Sequence, residues 1–138
     1  MTHVTVTREV SAPPAVVTDV LSDIEGLTVA GGFDEVTVEG DVVTIKNRVG
    51  LATMNLTLEV LDTDAALSLQ QREGHFSEMH TDYEVEPADG GSRVTITTEF
   101  TLGRSIIGDL LDATVVRRQR TKELEAQLDW LQQQAESR

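Results

Sequence analysis

From Phe33 to Leu102 apolar and polar residues alternate, interrupted only by clusters of turn formers, and few folds accommodate such a pattern over so long a stretch. Side chains of a strand point alternately to opposite faces, so a period of two means extended chain with one face buried. Turn signals, clearest at Gly40-Asp41, Asp62-Thr63-Asp64, Gly74-His75 and Asp89-Gly90-Gly91, divide the stretch into six strands joined as hairpins. Phase assigns Val43, Ile45, Asn47 and Val49 to one face, with Met54, Leu56, Leu58 and Val60 in the next strand. Leu67, Leu69 and Gln71, then Met79, Thr81, Tyr83 and Val85, then Val94, Ile96, Thr98 and Phe100 continue that face. The other face carries Lys46, Arg48, Glu59, Arg72, Glu78, His80, Asp82, Glu84 and a row of Thr. One face of the sheet is therefore wet and the other needs a cover.

The flanks supply the remaining elements. His3 to Val10 alternates as a further strand, with Val4, Val6 and Val10 inward and Arg8 as the exception on the apolar side. Ser11-Ala12-Pro13-Pro14 ends that strand and opens a helix, Ser11 acting as cap and proline fitting the first turn. Val16, Val17, Val20, Leu21 and Ile24 follow at helical spacing, and Gly26 and Gly31-Gly32 close the region, leaving a second helix short or absent. A helix from about Ser105 to Ala135 provides the cover, with Ser105 as N-cap and Asp109 and Asp112 suited to its positive end. Ile106, Leu110, Ala113, Leu124, Leu128, Leu131 and Ala135 form its apolar stripe, which passes through Arg117 and Thr121. The polar tail Gln132–Arg138 is expected to fray. These elements predict an α+β chain, one domain over residues 1–138: a seven-stranded antiparallel sheet curved around a long C-terminal helix, in the order β-α-β6-α.

Composition excludes several classes of partner. The 138 residues carry 24 acidic and 11 basic side chains, a net charge of −13, and the pI is about 4.4. Nucleic acid and anionic lipid headgroups both rely on Lys and Arg for affinity, so neither is an expected partner. Many Asp and Glu with only two Lys also matches a salt-adapted, halophilic surface, whose self-repulsion salt screens. No apolar run approaches the roughly 18 residues of a membrane span, and Met1-Thr2-His3-Val4 enters strand directly, without a signal-like stretch, so a cytoplasmic location is expected. With no cysteine, disulfides, thiolate metal sites and thiol nucleophiles are excluded.

Catalytic motifs are absent from the sequence: no phosphate-binding glycine loop, no dinucleotide fingerprint and no zinc helix of the His-Glu-x-x-His type. His75 and His80, with Glu73 and Glu78, are the only local cluster of metal-ligating types, but His80 shares the outer phase of its strand and His75 sits at a turn. No metal and no cofactor is expected. Asn55-Leu56-Thr57 fits a glycosylation sequon and reads as ordinary strand. Among inward-phased groups only Tyr83, Arg117 and, if its strand stays regular, Glu73 titrate, a thin inventory for acid–base work.

The element order, with Arg8-Glu9-Val10-Ser11-Ala12-Pro13-Pro14 followed by Val16-Val17 and Val20-Leu21-Ser22-Asp23, resembles the START and birch-pollen-allergen superfamily, the helix-grip fold, and within it the polyketide cyclase/dehydrase and lipid-transport branch. The chain departs from the branch in its first helix, where relatives often carry an aromatic near Val17-Thr18 and another where this chain has Leu27-Thr28-Val29-Ala30. The resemblance implies a cavity between sheet and C-terminal helix. Met54, Leu69, Gln71, Tyr83, Ile96, Thr98 and Phe100 would line it from the sheet, and Leu110, Ala113, Arg117 and Thr121 from the helix. Members of the branch include binders, cyclases and hydrolases, and the thin inward acid–base inventory favours binding of an apolar or amphipathic small molecule, such as a lipid, isoprenoid or polyketide-like compound, without catalysis. The alternatives are cyclisation, dehydration or hydrolysis with Tyr83 or Glu73 moving the proton, and a protein-binding module of the chaperone-cofactor type with a filled core. Arg117, in the middle of the stripe, is the residue expected to meet an anionic head.

Overall fold

In a computed structural model, which describes residues 2–49, 51–74, 76–102 and 113–138, the predicted sheet is present in full. Strands β1 (Thr2–Val10), β2 (Glu35–Glu39), β3 (Val42–Val49), β4 (Ala52–Leu61), β5 (Leu67–Glu73), β6 (Phe76–Ala88) and β7 (Gly91–Leu102) form one antiparallel sheet in the order β1-β7-β6-β5-β4-β3-β2. Five successive hairpins build it from β2 to β7, and β1 joins at the far edge through pairs such as Val6 with Ile96. The predicted phase holds: Val43, Ile45, Asn47, Met54, Leu56, Leu58, Leu69, Met79, Thr81, Tyr83, Val94, Ile96, Thr98 and Phe100 are all buried on the concave side.

Two pairings break register, β4 with β5 and, between Phe76 and Glu78, β6 with β7. A bulge between Thr57 and Leu58 lets Thr57 oppose Glu73 while Leu58 opposes Gln71, so Glu73 leaves the inner face and is exposed. The expectation that Glu73 faces the cavity is thereby corrected.

Two short helices, not one, follow β1: α1 (Pro14–Leu21) and α2 (Ile24–Ala30). Pro13, not Ser11, is the N-cap of α1, and it makes no side-chain capping bond, whereas Ser11 N donates to Glu136 at 2.8 Å. In α2, Gly26 is a packing residue and no breaker. Its N–H donates to the capping Asp23 Oδ1 at 3.0 Å, and a Cβ there would lie 2.8 Å from the Trp130 ring.

The cover is α3 (Ala113–Glu136), 24 residues and about 36 Å long. Ser105, Ile106, Asp109, Leu110 and Asp112 lie outside the described residues. The tail expected to fray is helical: α3 runs to Glu136 with Ala135 buried. Arg8, the exception in β1, fastens the C-terminal half of α3 to the sheet by donating to Glu125 at 3.0 Å and to Asp129 and Gln132 at 2.9 Å each. No described helix is long and apolar enough to cross a membrane.

Candidate functional site

Leu124, Leu128, Leu131 and Ala135 face inward as expected, but over the N-terminal half of α3 the inward face is rotated from the one expected. Val116, Arg120, Glu123, Leu124, Gln127, Leu128, Leu131 and Ala135 are buried, while Ala113 and Arg117 are exposed and Thr121 is partly exposed, its hydroxyl donating to the Arg117 carbonyl at 2.8 Å. The apolar ladder Leu128, Leu124 continues by fours to Arg120 and Val116, so the cation facing the sheet is Arg120. Arg117 is corrected to a solvent-facing residue: seven residues before Leu124, it comes back to within about 20° of that residue on an ideal helix, but towards this end the buried face is displaced to Val116, Arg120 and Glu123.

Arg120 enters the core with its counter-charge beside it. Nη1 donates to Glu123 Oε1 at 2.8 Å, and the two side chains are only 11% and 4% exposed. Nη2 donates to Thr81 Oγ1 at 3.3 Å, and Thr81 is joined at 2.8 Å to Thr98. The other carboxylate oxygen, Glu123 Oε2, accepts from Asn47 at 3.0 Å and from Gln119 at 3.2 Å. Arg120 Nε is buried and has no acceptor among the described residues. One turn along the helix, Tyr83 donates from its hydroxyl to Gln127 Oε1 at 2.5 Å, and burial pushes its pKa up to about 12.

These groups lie where sheet and helix fail to close completely. One gap is bounded by Phe33, Asn47, Met54, Leu56, Phe76, Val116, Gln119, Arg120 and Glu123, and a second by Thr28, Phe33, Ile45, Leu58, Leu69, Met79, Tyr83 and Gln127 among others. Each has a volume of about 20 Å³, room for a single water. Phe33, Leu56 and Arg120 border both. Phe33 is only half-buried, and its ring lies over Gly31, where a Cβ would come within 2.9 Å of it.

Of the residues expected to line the cavity, the structure brings together Met54, Leu69 and Tyr83 at these gaps. Gln71 is turned to the β5–β6 connection, where its amide donates to the Phe76 carbonyl at 2.8 Å. Ile96, Thr98 and Phe100 are buried behind the gaps, Phe100 with its ring 5.2 Å from that of Phe76. Leu110 lies outside the described residues. Arg120, Glu123, Gln127 and Phe33 were missed, although the four-residue row from Leu128 points to the first of them. On the outer face His80 contacts Gln70 and Asp82, each at 2.8 Å, and no group of three metal-ligating side chains occurs among the described residues.

A sheet gripping a helix over a buried polar cluster places the chain in the helix-grip class. The family described as polyketide cyclase/dehydrase and lipid transport matches residues 1–136, and the chain belongs to it. A protein of Thermus thermophilus is 23% identical over 99% of this chain and 98% of its own, with a TM-score of 0.76. The Zhui aromatase/cyclase from Streptomyces sp. R1128 is 22% identical over 98% and 93%, with a TM-score of 0.75. A START superfamily protein from Mycobacterium smegmatis is 14% identical over 98% and 97%, with a TM-score of 0.74. At these identities the likeness shows the fold. No curated protein matches the chain.

Proposed function

We propose that this chain binds an amphipathic small molecule between the concave face of the sheet and α3, with the ligand's polar end against Arg120 and its apolar body along Met54, Leu56, Leu69 and Met79. The observation that carries the reading is the orphaned Arg120 Nε. A buried donor without an acceptor costs roughly 1–3 kcal/mol, and a ligand oxygen brought to it would recover that. The remaining lining is apolar with a few polar anchors, the usual make-up of a small-molecule site. Entry requires the residues around the gaps to move, since neither gap as it stands holds more than a water.

A cyclase or dehydrase reading is favoured by one observation, the Glu123 carboxylate at the edge of the gap. It is the weaker reading: Glu123 is held by three donors, Tyr83 keeps its proton to about pH 12, and Glu73 is outside. Native mass spectrometry of protein from its own host, followed by solvent extraction, tests the binding reading. The expected result is a co-purifying small molecule that Arg120→Met no longer retains. A bare protein that instead captures a peptide or protein partner would overturn it in favour of the filled-core alternative.

A further inference from the structure

Charge balance at the polar end of the cavity restricts what kind of head it can take. The guanidinium of Arg120 is already neutralised by Glu123, and both carboxylate oxygens are engaged, by Arg120 on one side and by Asn47 and Gln119 on the other. Among the described residues bordering the two gaps, Arg120 and Glu123 are the only ones charged at neutral pH. Arg120 Nε is thus a buried donor left without an acceptor among the described residues, and the described charges around it sum to zero. A carboxylate or phosphate bound there would leave an uncompensated negative charge out of water, with Glu123 close by to repel it. An uncharged oxygen would accept the Nε–H bond and add no charge.

On the reading above that the cavity binds a small molecule, we infer that it selects ligands whose buried polar group is an uncharged acceptor, such as a ketone, aldehyde or ester carbonyl, and discriminates against anionic heads. Two probes with one ring system separate these classes: 2-acetylnaphthalene, with a carbonyl, and 2-naphthoate, with a carboxylate, each titrated calorimetrically into the full chain at neutral pH. The wild type is expected to bind the ketone at least about tenfold more tightly than the carboxylate. Glu123→Gln, which leaves the Arg120 charge unbalanced, is expected to reverse that order, with circular dichroism confirming that the variant is folded. Equal affinities in the wild type, or tighter binding of the naphthoate, would overturn this inference and leave the binding reading intact. Binding of neither probe would overturn the binding reading and this inference with it. The wild-type ratio decides alone if Glu123→Gln does not fold.

Discussion

Removing Glu123 while keeping Arg120 should be among the most damaging single changes available to this chain. Glu123→Leu keeps side-chain volume but strips Arg120 of its 2.8 Å partner, leaving the guanidinium only the 3.3 Å contact to Thr81, and it deprives Asn47 of its acceptor. Leaving one charge of a buried pair uncompensated costs about 3–5 kcal/mol. That is a large part of the roughly 5–15 kcal/mol that holds a domain of this size, and it corresponds to a melting point about 10–20 °C lower. Arg120→Met alone should cost a similar amount, because Glu123 is then the stranded charge. The double variant Arg120→Met/Glu123→Leu removes both charges together and should lie within about 1 kcal/mol of the wild type or above it, since apolar replacement of a buried pair is often neutral or stabilising. Urea unfolding of the four proteins, read by circular dichroism, closes the cycle, and an unchanged m-value shows that the comparison is of native states. Single variants within about 1 kcal/mol of the wild type, or a double variant as unstable as the two losses added, would refute the claim that these charges are buried and coupled.

Tyr83 is the only tyrosine, so its ultraviolet titration is unambiguous, and the transition should fall near pH 12, well above that of a free phenol. Because the native pKa lies above the ordinary value of 10.0, the folded state holds its proton longer than the unfolded state. Stability from this group is complete below pH 10 and declines as pH rises toward 12, by up to about 1.4 kcal/mol per unit; Tyr83→Phe should flatten that decline in unfolding measurements. Arg117→Leu should change melting and probe binding little, as an exposed substitution within about 0.5 kcal/mol, whereas Arg120→Met should abolish probe binding; equal effects would return Arg117 to the site. With a net charge of −13, the melting temperature should rise between dilute buffer and molar KCl as the Debye length shrinks from about 10 Å to about 3 Å, and a flat series would show that the acidic surface is not tuned to salt.

The sheet was legible because a period of two is unforgiving: one misplaced residue turns every later side chain over, so apolar phase records the buried face. Glu73 escaped for that reason, since the bulge at Thr57 and Leu58 shifts phase without any apolar residue to mark it. The helix was harder to read. A period of 3.6 allows steps of three or four, and a count that prefers apolar residues steps around polar ones that are in fact buried. Arg120, Glu123 and Gln127 were lost in this way, and Arg117 was placed inside. Gly26 misled in the other direction, because the residue that looks like a helix breaker is where α2 meets Trp130. Both errors fall where helix packing is set by residues that carry no apolar side chain.

The three-residue spacing of Arg120 and Glu123 has a kinetic consequence. Both charges belong to α3, so they can meet as soon as that helix forms, from contacts local in sequence. Closure of the sheet instead needs β1 to find β7, as in the pairing of Val6 with Ile96, and contacts so distant in sequence form slowly. The helix can thus arrive at the growing sheet with its buried cation already cancelled, and no stage of docking requires an unaccompanied charge to leave water. Had the counter-charge come from the sheet, the desolvation of each would have fallen on the docking step itself. The arrangement keeps the barrier to docking low.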